Sequence, residues 1–507
     1  MHWYTGWPAI TLLSIEWLAR LGLAVHVILR RRAVATSLAW LAIILFVPIL
    51  GMLVYFMVGG SSLGTRRARR YKKVTERLRR LAAEIMETRR PKVSPVAPEL
   101  EPIARFGTAM TGLPPLPGNT LRLFGDNAAM LGSLRADIDA ATHHIHMCYY
   151  IWMPDRSGAI IAEALAAAVG RGVIVRVLVD GAGSHAFLRH QQSAAMRAAG
   201  IQVVEALPVS VLRLPFARID LRNHRKIAVF DGRVGYCGSQ NIHDVEYSSP
   251  RWAKAIGTGG SGSGSSGRGR WIDATVRVEG PAAQALAATF LRDWKLDSEE
   301  PFEDLGPYLP EPRFELRDVD GNTSAGAAVQ VVASGPGPTP QAIHQALLTA
   351  LYAARKEIVM TTPYFVPDAS LLEAITAAAT RGVRVVMVLP DVSDAPIVAA
   401  AGRAHYEDLL DAGVELHEYL GGLLHSKVIT VDSKMGVVGS ANMDQRSFFL
   451  NFEATMFVYD AAFAGELVAL QRAYLKTSRR VSAEEWSQRS VWARLRDNSA
   501  RLMGPLL

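Results

Sequence analysis

The feature that most constrains the fold of this chain is an internal repeat. The segment NHRKIAVFDGRVGYCGSQNI (223–242) aligns with LHSKVITVDSKMGVVGSANM (424–443) without a gap, at a constant offset of 201 residues. Both segments follow the pattern H-x-K-x4-D-x6-G-S-x-N. Two ungapped copies of so long a pattern indicate that the chain contains the same structural unit twice.

The sequence upstream of each motif extends the repeat. Each copy has a β-rich segment, then an alanine-rich helix that ends in Arg-Gly-Val, then a buried strand. These segments are 145–155, 158–173 and 173–180 in the first copy, and 358–368, 371–383 and 383–391 in the second. Strand, helix and strand at this spacing predict a βαβ unit with a parallel pair of strands. The sequence therefore predicts an α/β protein with two tandem copies of one domain.

The repeated motif carries side chains that suit phosphoryl transfer. On a strand, the histidine and lysine of H-x-K lie on the same face, about 7 Å apart. Lysine and asparagine can donate to phosphate oxygens, and one imidazole can attack phosphorus while a second protonates the leaving oxygen. The candidate residues are His224, Lys226, Asp231, Ser239 and Asn241 in the first copy, and His425, Lys427, Asp432, Ser440 and Asn442 in the second.

A structural role is the alternative to this interpretation. A single histidine on a strand is more often a core residue than a catalytic one. Two His-Lys-Asp sets with identical spacing and identical G-S-x-N tails make the structural interpretation implausible for this chain.

We expect neither a metal nor another cofactor. The two cysteines, Cys148 and Cys237, exclude a disulfide scaffold and a cysteine-rich zinc module. No H-x-x-x-H pattern or carboxylate cluster accompanies the motifs. Lys226 and Lys427 already supply the positive charge that a metal ion would bring.

Two long apolar stretches, 7–29 and 37–59, predict an N-terminal membrane helical hairpin. A signal peptide fits badly, because Lys and Arg are missing before the first stretch and the second is too long. A buried helix of a soluble protein is a further alternative. In the first stretch, Glu16 and Arg20 lie four residues apart, so they can pair on one helix face.

Positive charge is concentrated next to these stretches. The chain carries 55 Lys and Arg against 47 Asp and Glu, a formal charge of +8. Residues 61–93 hold twelve Lys and Arg and three acids, so the remaining chain is close to neutral. This location favours anionic membrane lipids as partners and argues against a nucleic-acid groove.

The basic clusters also bear on orientation. Positive charge prefers the cytoplasmic side, so we expect the catalytic part to face the cytoplasm. A two-span hairpin puts the arginines at 30–32 and the cluster at 66–73 on opposite sides. A second stretch that bends near Pro48 and Gly51 and returns puts both clusters on one side.

The doubled motif resembles that of the phospholipase D superfamily, the HKD enzymes, over roughly residues 116–475. The resemblance implies a mixed β-sheet flanked by helices in each half, a pseudo-twofold axis and both motifs in one active site. It also implies a phosphohistidine intermediate without a metal, and a downstream acid that orients each histidine. In the first copy WID (271–273) supplies Asp273, and in the second NFE (451–453) supplies Glu453. Asp231 and Asp432 are then expected to hold the motif together rather than to react.

Within that superfamily the chain is similar to the bacterial cardiolipin synthases. The similar segments include the apolar hairpin, TPYFVPD (362–368), GSANMDQRSFFLNFE (439–453) and the closing RLMGPLL (501–507). The resemblance implies an enzyme of the bacterial cytoplasmic membrane that joins two phosphatidylglycerols into cardiolipin and releases glycerol. A membrane-bound phospholipase D-type hydrolase or another phosphatidyltransferase stays open as an alternative activity. A homo-oligomer is a possible state of assembly.

These observations divide the chain into six segments. They are a membrane hairpin (1–60), a basic juxtamembrane helix and linker (61–115), a first phospholipase D-like domain (116–298), a linker (299–327), a second phospholipase D-like domain (328–475) and an amphipathic tail (476–507). The Gly/Ser-rich segment 257–269 is predicted to be a flexible loop, natural or engineered. In the tail, Trp486 and Trp492 predict a helix that either packs on the second domain or lies in the membrane interface.

Overall fold

The computed structural model describes most of the chain as two compact units. The described residues are 6–30, 34–59, 63–89, 96–208, 218, 220–246, 270–298, 300, 306–312, 316–317, 323–324, 326–337 and 340–504. The first unit comprises Met1–Arg69 with Val209–Leu221, and the second comprises Arg70–Pro208 with Arg222–Leu507. The Gly/Ser-rich segment 257–269 lies outside the described residues.

The first unit contains three apolar helices, α1 (Gly6–Leu29), α2 (Val34–Phe46) and α3 (Leu50–Val58). In α1, the segment Ile10–Leu29 is long and apolar enough to cross a bilayer. The second apolar stretch is not one continuous helix, because the chain bends between α2 and α3. Pro48 lacks the backbone N–H that a continuing helix requires, so α2 ends before it.

Helix α3 folds back along α2, as the bent alternative requires. The rings of Trp40 and Tyr55 meet edge to face with centroids 5.2 Å apart, and Tyr55 also meets His26 of α1 at 6.3 Å. A Cβ added to Gly51 would clash with the carbonyl of Ile43, so glycine permits the close approach of the two helices. The chain therefore enters α2 and leaves α3 on the same side of this unit.

The predicted pair in α1 is confirmed. Arg20 donates to the Glu16 carboxylate at 2.5 Å and to the carbonyl of Leu45 in α2 at 2.9 Å. Both charges lie inside an apolar bundle, where an unpaired ion is costly. The ion pair and the carbonyl contact together fix α1 against the end of α2.

Helices cover both faces of the sheet in the rest of the chain. The predicted juxtamembrane helix is α4 (Thr65–Arg89). The other helices are α5 (Glu101–Thr111), α6 (Asn127–Ala140), α7 (Arg156–Gly170), α8 (His185–Leu188), α9 (Gln191–Ala198), α10 (Pro281–Asp297), α11 (Ala342–Ala353), α12 (Ala369–Thr380), α13 (Pro396–Arg403), α14 (Tyr406–Asp411), α15 (Gln445–Phe449), α16 (Ala461–Lys476), α17 (Ala483–Ser487) and α18 (Val491–Leu502). Short 3-10 turns occur at Pro98–Leu100 and Gly306–Tyr308.

The strands of the second unit come from both copies of the repeat. From the first copy they are β1 (Leu116–Phe124), β2 (His144–Tyr149), β3 (Ile174–Asp180), β4 (Gln202–Ala206), β5 (Lys226–Phe230), β6 (Val234–Gly238), β7 (Trp271–Ile272) and β8 (Thr275–Glu279). The later strands are β9 (Leu316–Arg317), β10 (Thr323–Ser324), β11 (Ala327–Ser334), β12 (Glu357–Thr361), β13 (Phe365–Val366), β14 (Arg384–Pro390), β15 (Glu415–Tyr419), β16 (Leu423–Leu424), β17 (Val428–Val431), β18 (Met435–Gly439), β19 (Met443–Asp444), β20 (Glu453–Tyr459) and β21 (Ser478–Arg480).

One mixed sheet joins the two copies. Its order is β21-β15-β14-β12-β17-β18-β20-β11-β1-β8-β6-β5-β2-β3-β4. At the centre β1 pairs antiparallel with β11, and from there the equivalent strands of each copy follow in the same order outwards. The pairs β2–β3 and β12–β14 are parallel, as the βαβ prediction requires. The predicted α/β class with pseudo-twofold symmetry is confirmed.

The alanine-rich helices of the repeat are α7 and α12. Both begin at an aspartate, Asp155 and Asp368, whose side chain accepts from a first-turn backbone N–H at 2.9 and 3.1 Å. Ile161 and Leu165 in α7 are fully buried against the sheet, as is Ile375 in α12. Small alanines beside these larger side chains let each helix lie close to its parallel strands.

The tail forms two helices, α17 and α18, rather than one. Trp486 packs on Tyr406 with ring centroids 4.7 Å apart. Trp492 is 78% exposed, and the other apolar residues of α18 on that face, Leu495 and Leu502, are exposed as well. Trp486 therefore takes the packing role, and the membrane-interface role of Trp492 stays a prediction. The predicted domain boundaries stay predictions, because both copies share one sheet and one compact unit.

Candidate active site

Each motif histidine is tied through its backbone to the opposite copy. His224 donates its backbone N–H to the carbonyl of Phe452 at 2.9 Å, and His425 donates to the carbonyl of Ile272 at 2.8 Å. The short parallel pair β7–β16 lies next to the second contact. The predicted acid Glu453 directly follows Phe452, and the predicted acid Asp273 directly follows Ile272. Each histidine is therefore held beside the acid of the other copy.

The imidazoles and carboxylates pair crosswise between the copies. Nδ1 of His224 lies 2.9 and 3.1 Å from the two carboxylate oxygens of Glu453. Nδ1 of His425 lies 2.7 Å from Oδ1 of Asp273. All four side chains are nearly or fully buried. Both predicted acids thus reach a histidine, and each copy completes the site of the other.

The motif serines hold the carboxylates. Ser239 donates to Asp273 at 2.7 Å and Ser440 donates to Glu453. Each hydroxyl also accepts a backbone N–H from the residue after its carboxylate, at 2.9 and 3.0 Å. The serine hydroxyls therefore support the two carboxylates. Each hydroxyl already donates one hydrogen bond and accepts another within the protein.

The glycine before each serine is required by close packing. A Cβ on Gly238 would clash with the carbonyl of Ala274, and a Cβ on Gly439 would lie 2.6 Å from that of Ala454. The G-S pair thus brings the motif strand against the strand that carries the acid.

The motif lysines are buried beside the imidazoles. Lys226 donates from Nζ to the carbonyl of His224 at 2.7 Å, and Lys427 donates to that of His425 at 2.6 Å. Burial lowers the pKa of Lys226 to about 8. Burial, together with the charge of Lys226, lowers the pKa of Lys427 well below its ordinary value. An anion between the two ammonium groups would relieve both effects.

Burial also sets the protonation of the His–carboxylate pairs. It lowers the pKa of His224 to about 4 and, with the charge of Lys427, that of His425 to about 3. Burial alone would raise the pKa of both acids. The contact of Glu453 with His224 and that of Asp273 with His425 outweigh burial and hold the two pKa values below the ordinary range. Each neutral imidazole can therefore donate Nδ1–H to a carboxylate and keep a lone pair on Nε2.

The two motif asparagines differ in their contacts. Oδ1 of Asn241 accepts the backbone N–H of Ile151 at 3.0 Å, whereas its buried Nδ2 has no hydrogen-bond partner among the described residues. The backbone N–H of Asn442 donates to Ser447 at 3.2 Å. An unsatisfied buried amide of this kind can donate to a substrate oxygen.

Asp231 and Asp432 do not reach the site, although the motif groups them with the catalytic residues. They follow the far ends of β5 and β17, both with φ of 52°. Asp231 accepts three backbone N–H groups from residues 142–144, and Asp432 accepts three from residues 355–357. They fix the turn after each motif strand to the start of the neighbouring strand, which agrees with the expected structural role.

Sequence reasoning missed the aromatic rings beside the imidazoles and a buried ion pair below them. Tyr150 meets His224 edge to face at 4.8 Å, and Trp271 meets His425 at 4.5 Å. Arg225, the middle residue of the first H-x-K, forms a buried ion pair with Asp293. The signal for Tyr150 was its position in the β-rich segment 145–155, and that for Trp271 was its position in WID (271–273). Asp293 lies in α10 and carries no such signal.

No metal ligand set emerges from the described residues. Across these ranges there is no group of three or more His, Cys, Asp or Glu side chains that could hold a metal ion. The four acid and imidazole side chains of the site are instead engaged in two separate pairs. Metal independence stays a prediction.

Comparisons with known proteins agree with this geometry. The family model for the phospholipase D-like domain of cardiolipin synthase matches residues 134–249 and 347–473. The model for the phospholipase D-nuclease N-terminal region matches residues 21–60. Cardiolipin synthases A of Yersinia pseudotuberculosis and Yersinia pestis are each 38% identical to this chain over 505 residues, which is 99% of this chain and 100% of theirs.

A solved structure supports the fold independently. The crystal structure of phosphatidylserine synthase from Haemophilus influenzae matches with a TM-score of 0.57 at 14% identity, and covers 80% of this chain and 100% of that one. The fold, the two complete motifs and the full-length similarity lead to one assignment. The chain belongs to the bacterial cardiolipin synthases, a family of phosphatidyltransferases within the phospholipase D superfamily.

Proposed function

We propose that the chain joins two phosphatidylglycerol molecules into cardiolipin and glycerol through a phosphohistidine intermediate. The observation that carries the proposal is the crossed arrangement of two imidazoles, each bound through Nδ1 to a buried carboxylate. Such a pair leaves Nε2 of one ring free to attack phosphorus and Nε2 of the other free to carry a proton.

In the first step His224 is the nucleophile. Its Nε2 forms a bond to the phosphorus of one phosphatidylglycerol, and the bond from phosphorus to the headgroup glycerol oxygen breaks. His425, protonated when the anionic substrate raises its pKa, gives its proton to that oxygen, and glycerol leaves. Lys226 and Lys427 balance the charge on the phosphoryl oxygens.

In the second step a second phosphatidylglycerol takes the place of glycerol. Its headgroup hydroxyl attacks the phosphorus, His425 accepts the hydroxyl proton, and the phosphorus–nitrogen bond to His224 breaks. The product is cardiolipin, and both histidines return to their starting states. The rings of Tyr150 and Trp271 beside the imidazoles limit access of water to the intermediate.

The test is product analysis with phosphatidylglycerol as the sole lipid. We expect cardiolipin and glycerol in equal amounts from the unaltered enzyme. Both products should be lost in His224→Ala and in His425→Ala. The loss in the variant that lacks the nucleophile should exceed the 10²–10⁴-fold that is typical of acid–base catalysis alone. Phosphatidic acid as the main product would identify a hydrolase instead.

We further propose that the enzyme lies in the bacterial cytoplasmic membrane with its catalytic part on the cytoplasmic side. Helix α3 turns back along α2, so the chain enters α2 and leaves α3 on one side of the first unit. In the sequence, basic residues lie next to both of these points, and positive charge prefers the cytoplasm. A cysteine introduced at the exposed Lys72 should resist a membrane-impermeant maleimide in intact cells and react after permeabilisation. Labelling in intact cells would contradict this orientation.

A further inference from the structure

A groove apart from the HKD residues runs along the second unit. It lies between α4, the end of α5, α10 and strand β11, and offers about 1000 Å³ of space including its open mouth. Its wall is mainly apolar, with Leu78, Leu81, Leu113, Ala288 and Val331 among the lining residues. No motif histidine, lysine or carboxylate lines it.

Arg292 lines this groove and forms no ion pair with any of the described residues. Nε and Nη2 of Arg292 are buried and have no hydrogen-bond partner among the described residues. The guanidinium stacks on the ring of Tyr71, 4.8 Å from its centroid. The neighbouring acid, Asp293, binds Arg225 through Oδ2. A buried guanidinium with open donors is costly unless an anion or acceptor meets it.

A second guanidinium strengthens the positive charge at the same place. Arg79 also lines the groove, and it donates to the carbonyl of Met110 at 2.8 Å. Burial, and then the charges of Arg225 and Arg79, lower the pKa of Arg292. The groove thus combines a hydrocarbon wall with two arginines, the donors best suited to a phosphate group.

We propose that this groove is a second lipid site, which binds an anionic phospholipid of the surrounding bilayer. The lipid phosphate accepts from Arg292 and Arg79, and one acyl chain lies along the leucine and alanine wall. The proposal does not depend on the reaction assigned to the motif histidines.

The test uses a fluorescent reporter inside the groove. Ala288→Cys, labelled with an environment-sensitive maleimide, reports on the groove alone, because the native Cys148 and Cys237 are buried. The full-length protein carries His224→Ala so that lipid is bound without turnover. It is titrated in a non-ionic detergent with short-chain phosphatidylglycerol and, separately, with phosphatidylcholine of the same chain length.

We expect a saturable blue shift with phosphatidylglycerol and at least tenfold weaker binding of phosphatidylcholine. Arg292→Gln should weaken phosphatidylglycerol binding about ten- to a hundredfold, because it removes charge-assisted hydrogen bonds. Arg79→Gln, at the exposed rim, should weaken it in the same direction. Arg135→Gln is the matched control, since Arg135 is an exposed arginine on α6 outside the groove.

Three results would overturn the proposal. They are the absence of a shift, an equal response to both lipids, and unchanged affinity in both Arg292→Gln and Arg79→Gln. Failure of the transferase assay would not affect this binding experiment, and failure of the binding experiment would leave the transferase assignment standing.

Discussion

Replacing Glu453 by glutamine should disable His224 as a nucleophile and spare the acid–base role of His425. The prediction follows from the crossed pairing, because Glu453 lies at hydrogen-bond distance from Nδ1 of His224, at 2.9 and 3.1 Å, whereas His425 pairs with Asp273. If each acid served the histidine of its own copy, the same substitution would spare His224. The experiment therefore distinguishes the two arrangements.

The expected magnitude has two parts. Loss of a charge-assisted hydrogen bond at a buried site costs about 1.5–3 kcal/mol, or roughly 10- to 150-fold in rate. In addition, the glutamine amide can donate to Nδ1 and hold the imidazole proton on Nε2. The wrong tautomer costs about 10⁴ in serine-protease triads. We expect a loss between about 10² and 10⁴ in the rate of attack.

The assay separates attack from leaving-group protonation. With a phosphatidyl p-nitrophenyl ester, p-nitrophenolate leaves without a proton, so formation of the intermediate no longer needs His425. A burst of p-nitrophenolate should survive in His425→Ala and Asp273→Asn within about tenfold. It should be lost in His224→Ala and fall about 10²–10⁴-fold in Glu453→Gln.

A matched control and a refuting result complete the design. Glu466→Gln changes an exposed glutamate on α16 and should leave the burst unchanged. A burst that persists in Glu453→Gln and disappears in Asp273→Asn, while His224→Ala still abolishes it, would refute the crossed arrangement.

Three further predictions concern pH, metals and the tail. Burial lowers the pKa of Lys226 to about 8. Because the ammonium group that attracts the phosphodiester is lost above this pKa, kcat/KM should fall as pH rises through about 8. A pH profile that is flat through this range would contradict the role of this lysine. Activity on detergent-solubilised lipid should stay within about twofold in EDTA, and loss that zinc restores would refute metal independence. Trp492→Ala should weaken vesicle binding without a change in melting temperature. Trp486→Ala should destabilise the fold by about 1–2 kcal/mol. Loss of stability in Trp492→Ala together with weaker vesicle binding in Trp486→Ala would refute this assignment of roles.

The sequence predicted the parts of the site that repeat. Identical spacing in the two motifs was enough to identify His224 and His425, and the βαβ pattern was enough to predict their sheet. The downstream position of each acid implied pairing within one copy, and this was wrong, because the pairing depends on backbone contacts such as the one from His224 to the carbonyl of Phe452, far apart in the chain. Ion pairs such as Arg225–Asp293 were missed for the same reason.

Local sequence signals were less reliable where two structures satisfy the same pattern. The apolar run 37–59 fits one membrane span by composition, yet Pro48 ends α2 and α3 turns back. In the tail, Trp486 and Trp492 looked equivalent, but the chain breaks between α17 and α18, and Trp486 is half-buried against Tyr406 whereas Trp492 is exposed. The missing N–H of Pro48 decided the first case, and tertiary packing decided the second.

Identification of the covalent intermediate tests the central claim most directly. The full-length enzyme is mixed with phosphatidylglycerol labelled in its acyl chains, quenched in denaturant at neutral pH within one turnover and analysed by peptide mass spectrometry. We predict a phosphatidyl group on His224, absent from His224→Ala and reduced in Glu453→Gln. A label on His425 would reverse the assigned roles, and a label outside the two motif histidines would contradict a single active site built from both copies.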